Sequence, residues 1–168
     1  MRLLSLSWLI LIAVACNHDP TPTHLLPQQP IPSDMLITLE RSVCYGTCPD
    51  YKVNISADGK VTFDGHQFVK TKGAAQGNIN LDNVRLLIAE FDRAKYFSLN
   101  DKYETEKDGC PEEWTDHPTV VTSIKMNGKS KSISHYHGCR DGQIIYPKAL
   151  TDLEDRIDEI VGTKQWIK

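Results

Sequence analysis

The sequence has no glycine-rich phosphate loop of the G-x-x-x-x-G-K type and no internal repeat of fixed period, which removes support for P-loop nucleotide chemistry and for a solenoid. Its net charge is only -3 and its basic residues do not gather into a patch or a long helix. Nucleic acid is therefore not an expected partner. Beyond residue 15 no apolar run approaches the roughly 20 residues that a membrane-crossing helix needs. A catalytic set is also missing. Asp116 and His117 are adjacent, a spacing that seldom gives a base and its orienting group, and Glu112-Glu113 reads as a solvated acidic loop. Ser130, Ser132 and Ser134 alternate on one strand face with Tyr136, the pattern of a wet sheet surface. The expectation is a non-catalytic protein without a cofactor.

What is present begins with Arg2, an apolar stretch from Leu3, and Ala13-Val14-Ala15 before Cys16. This is secretory architecture, too short for a permanent span. Residues 1–15 are expected to be a signal peptide and Cys16 a lipidation site, since the ending resembles the lipobox of bacterial lipoproteins, with Ala13 where leucine is usual. An ordinary cleaved signal, or a buried helix with an incidental thiol, are the alternatives. Pro20, Pro22, Pro27, Pro30 and Pro32 make residues 16–34 a linker of extended character. Residues 35–168 suit one domain. The expected setting is the bacterial cell envelope, with the domain held to a membrane by its lipid and facing the periplasm or exterior.

Within the domain, Leu36–Glu40 is β-prone, and Tyr51, Val53 and Ile55 alternate with polar residues. Asp58-Gly59 suits a tight turn into a strand with Val61 and Phe63. A further strand is expected around Gln67 to Lys72, then a loose Gly73 to Gly77 loop. Leu81, Val84, Leu87, Ile88 and Phe91 share one helical face behind an Asn80 cap, predicting a helix to about Lys95. Residues 100–118 lack periodicity. Thr119–Met126, Asn127-Gly128 and Lys129–Tyr136 read as a second hairpin. Leu150, Leu153, Ile157, Ile160 and Val161 predict a second helix, with Pro147 in its first turn and Gly162 at its C-cap, and Trp166 and Ile167 folding back. The order predicts an α+β fold, a mainly antiparallel sheet with two amphipathic helices packed on one face.

Four cysteines follow Cys16: Cys44, Cys48, Cys110 and Cys139. In an oxidising compartment they are expected to pair. Three connectivities exist, and Cys44 with Cys48 and Cys110 with Cys139 is favoured because Tyr45-Gly46-Thr47 is short and turn-prone. The second bridge would pin the irregular segment to the second hairpin. The competing reading of Cys44-Tyr45-Gly46-Thr47-Cys48-Pro49 is a copper or redox pair, since the string resembles the copper motif of thioredoxin-fold copper chaperones. A strand follows here, where that family has a helix.

His135, His137 and Cys139 recur at every second position and would point to one face of an extended strand, a candidate zinc or copper set with His117 or Asp116 as further ligands. The plainer alternative puts Cys139 in a disulfide and both histidines on the sheet rim. Trp114 is a candidate aromatic for contact with an envelope protein partner. A third possibility is an envelope enzyme or enzyme inhibitor with a site in the 100–118 loop.

The string Arg41-Ser42-Val43-Cys44-Tyr45-Gly46-Thr47-Cys48-Pro49-Asp50-Tyr51 resembles the signature of an uncharacterised bacterial envelope family, domain of unknown function 6438. Gly59 to Phe63, Asp116 to Thr119, Asn127 to Lys129, His135 to Cys139, Leu153 to Asp158 and Trp166-Ile167 agree with it. The resemblance covers about Met35 to Lys168 and implies secretion or lipid anchoring. It supplies no catalytic residue.

Overall fold

The computed structural model describes residues 30–168, so the expected signal peptide, Cys16 and most of the linker lie outside the described residues. The fold opens as an antiparallel meander of β1 (Leu36–Arg41), β2 (Asp50–Ser56), β3 (Lys60–Gln67) and β4 (Gly73–Asn78), followed by α1 (Leu81–Arg93). Short β5 (Lys102–Tyr103) and β6 (Glu112–Glu113) precede the hairpin of β7 (Thr119–Met126) and β8 (Lys129–Tyr136). Then come β9 (Cys139–Asp141), β10 (Ile144–Ile145), α2 (Lys148–Val161) and α3 (Lys164–Ile167).

Seven strands form one sheet in the order β4-β3-β2-β1-β7-β8-β5, and β10-β9-β6 form a second. Alternation decides the faces. Ile37, Leu39, Tyr51, Val53, Ile55, Val61, Phe63, Val120, Ile124 and Ile133 are buried on one side, and α1 and α2 cover them with Val84, Leu87, Phe91, Leu150, Leu153 and Ile157. The opposite face is polar. There Thr38 donates to Asn54 Oδ1 (3.0 Å), whose amide donates to Thr62 Oγ1 (3.1 Å).

Local chemistry sets the boundaries. Asn127 and Gly128 take the left-handed angles (φ 53° and 71°) of a two-residue hairpin, and their N–H groups donate to the Asp34 carboxylate at 2.9 and 2.8 Å. Asn80 caps α1 by accepting from Asn83 N at 2.8 Å, and Gly162 (φ 72°) closes α2. Glu90, buried at the α1–α2 seam, accepts from Arg93 (2.8 Å) and Arg156 (3.4 Å), clasping the two helices.

Two expectations change. Residues 68–72 form a bend rather than a strand, and the expected Gly73 to Gly77 loop is β4, paired along β3 from Gly65↔Gly73 to Lys60↔Asn78. Its small residues leave room for Trp166, whose ring stacks on Phe63 (4.9 Å) and would stand 3.1 Å from a Cβ added at Gly77. Trp166 and Ile167 belong to α3, a single turn beyond the Gly162 cap. Within 100–118, β5 pairs in parallel with β8 and β6 pairs with β9, so this segment carries two short strands without periodicity of its own.

Candidate functional site

One cross-strand row on the covered face reads Gly65, Tyr51, Arg41, Val120, His135 and Tyr103, each residue paired with the next across adjacent strands. Three of its members, Tyr51, Arg41 and His135, bond to two carboxylates one turn apart on α2, Glu154 and Asp158. Glu154 interrupts the apolar stripe of Leu150, Leu153 and Ile157 and is fully buried.

Glu154 is shared by two imidazoles. His135 Nδ1 is 2.7 Å from Oε1 and His137 Nε2 is 2.7 Å from Oε2, while His135 Nε2 is 3.0 Å from the Tyr146 carbonyl. The rings lie 5.0 Å apart, and Tyr103 packs edge-on against His135. Proton counting constrains the charges. The carbonyl only accepts, so His135 Nε2 carries hydrogen, and each imidazole–carboxylate contact needs one more. The three contacts thus hold three protons. Burial pushes the Glu154 carboxyl up, but the hydrogen bonds and charges of His135 and His137 outweigh it and hold the group below its ordinary value. Glu154 is thus held as a carboxylate between the two rings.

The neighbouring network centres on Asp158. Its carboxylate accepts from Arg41 Nε (2.8 Å), Tyr51 Oη (2.6 Å) and Thr163 Oγ1 (2.7 Å), while Tyr51 Oη accepts from Arg41 Nε at 3.1 Å. Burial opposes the Arg41 charge, yet Asp158 and Tyr51 keep the guanidinium above its ordinary pKa. Burial, reinforced by Asp158, raises the Tyr51 phenol as well. This network is a structural clamp that leaves none of its buried side-chain polar atoms without a hydrogen-bond partner.

Disulfides join Cys44 to Cys48 and Cys110 to Cys139, with Cα separations of 5.5 and 5.3 Å. The Cys44–Cys48 sulfurs are bonded to each other and offer no thiolates to copper. The loop they close presents Tyr45, which is 89% exposed. Cys110–Cys139 fastens the irregular segment beside β8. There Trp114 N donates to the Gly138 carbonyl (2.7 Å), and Arg140 stacks 5.0 Å from the Trp114 ring centroid.

The rim placement of the histidines is corrected. His135 is fully buried and His137 is 8% exposed, because α2 lies over the end of β8 and the His137 N–H donates to the Pro118 carbonyl (2.9 Å). The third partner is Glu154 rather than His117 or Asp116. Asp116 is exposed, its carboxylate accepting from Thr115 at 3.2 Å. His117 Nδ1 lies 3.5 Å from Arg140, and burial, with the charges of Arg140 and His137, lowers its pKa. Sequence reasoning missed Glu154, although a carboxylate four residues after Leu150 and three before Ile157 stands on the buried stripe and signals a buried partner.

Fold and site together define a small disulfide-bonded α+β domain, a one-sided antiparallel sheet whose covering helix is anchored by buried ion pairs. The chain belongs to the family described as domain of unknown function (DUF6438), whose model matches residues 35–161. No curated protein matches the chain.

Proposed function

We propose that the chain is a lipid-anchored protein of the bacterial cell envelope with a non-catalytic role, a disulfide-stapled domain carried on a proline-rich stalk and offered to a protein partner. The observation that carries this reading is the pairing of all four cysteines of the domain. Cytosolic reductants keep such thiols reduced, so two disulfides in one small domain favour an oxidising compartment. The apolar stretch ending at Cys16 supports export and acylation. Tyr45, held outward on the Cys44–Cys48 loop, supports partner contact, since tyrosine is enriched at interfaces.

The test is fractionation of cells producing the wild type or Cys16→Ser. The wild type is expected in the membrane fraction with acyl mass on Cys16, and the variant in the soluble fraction. A wild type without lipid mass, or a variant that stays membrane-bound, overturns the anchor.

A further inference from the structure

A buried carboxylate shared by two imidazoles stabilises a fold little more than apolar residues of similar volume would. Glu154, His135 and His137 nevertheless have the geometry of a ligand set. One donor atom from each lies within 4.8 Å of the other two, and donors around a tetrahedral zinc at 2.0–2.1 Å stand roughly 3.3 Å apart. A bound ion would draw the donors together by at most about 1.5 Å. The His135 ring is already oriented, because Nε2–H donates to the Tyr146 carbonyl (3.0 Å) and leaves Nδ1 toward Glu154. A backbone carbonyl in that position is the outer partner that metal-bound histidines take.

We propose that His135, His137 and Glu154 bind one divalent transition-metal ion of the zinc type. Two imidazoles and one carboxylate suit zinc, whereas the soft thiolates that select cuprous copper are absent from this set. His137 lies at the only edge of the trio that reaches solvent, so the ion arrives there and a water completes its coordination. The charges balance as follows. The metal displaces the two protons between the imidazoles and Glu154, His137 moves its remaining proton to Nδ1, and one proton per ion leaves for solvent. The site then carries one net positive charge. Asp155, within electrostatic reach of His137, offsets it, while Arg41, within reach of Glu154, opposes it.

The experiment is calorimetric titration of the full chain, disulfides intact, with Zn2+ alone, repeated in buffers of different ionisation enthalpy. One ion per chain with a Kd at or below about 10 µM and release of about one proton are expected, and weaker binding overturns the proposal. His137→Gln is expected to weaken binding at least roughly 100-fold, whereas His66→Gln, on the surface beside Asp50 and Asp64, leaves it unchanged. Retained affinity in the first variant, or loss in the second, overturns the assignment. Imidazole NMR signals of the wild type give an answer independent of how the variants fold. Shifts at His135 and His137 support the site, and shifts confined to His66 or His117 place the ion elsewhere and overturn it.

Discussion

Glu154 and Asp158 stand one turn apart on α2 and close over two members of the same cross-strand row, Glu154 over His135 and Asp158 over Arg41. Val120 separates the two strand residues in that row. An apolar stripe alone lets a helix slide or roll with little penalty, whereas two ionic anchors about 6 Å apart along the axis hold both its rotation and its axial position.

Glu154→Gln is expected to lower the unfolding free energy by about 3 kcal/mol, because it breaks a buried network by removing the carboxylate that His135 and His137 share. The folded carboxyl titrates below its ordinary value, so its contribution is complete above the ordinary carboxylate range and is lost as pH falls through the folded pKa. The difference between wild type and variant therefore shrinks under acid. Urea midpoints measured from neutral pH downward check this, and a pH-independent difference contradicts it.

Removing Cys110–Cys139 by a double serine substitution opens a loop of sequence separation 29, with an expected loss of about 3.5 kcal/mol by loop-closure entropy. For Cys44–Cys48, with separation 4, the expected loss is about 2 kcal/mol. Denaturant midpoints rank the two, and peptide mapping without reduction verifies the pairs.

Trp166→Ala should destabilise the domain by about 3–5 kcal/mol. The substitution empties the space beside Phe63 and uncovers β4. Amide exchange at Thr71, which donates to the Trp166 carbonyl at 2.9 Å, is expected to quicken in step. Unchanged exchange there would contradict the role given to the C-terminal turn.

His66 contributes with the opposite pH sign. Its hydrogen bond to Asp50 (3.0 Å) raises its pKa, so its small stabilisation is present below its ordinary pKa and fades as pH rises through the folded value. His66→Ala is expected to match the wild type at pH above about 8 and fall slightly below it near pH 6, read by thermal melts at both.

Tyr45→Ala is expected to leave stability within about 0.5 kcal/mol, as for an exposed side chain, yet to abolish crosslinking to an envelope partner from a photoreactive group in the same loop. Equal crosslinking in the variant removes Tyr45 from the contact.

The parts of the fold legible in the sequence were those whose causes are local. Asn127-Gly128 carries its turn geometry in two residues, and Asn80 and Gly162 mark helix ends without help from distant chain. β4 was not legible, because Gly73–Asn78 has no strand-forming side chains and owes its conformation to β3 beside it and Trp166 above it. For the site, the every-second-residue spacing placed His135 and His137 on one face, but their burial comes from α2, 17 and 19 residues away.

β1 runs from the turn end of the sheet, where Leu36 pairs with Ser56 and Lys125, to the opposite end, where Arg41 pairs with Tyr51 and Val120. Its 6 residues span about 20 Å. The described chain begins at the first end, with Ile31 packed against the core, while the Tyr45 loop, the short second sheet and the histidines all crowd the second. The domain is thus a two-poled body. The first described residues sit at one pole, and the buried histidines and the exposed ring of Tyr45 at the other.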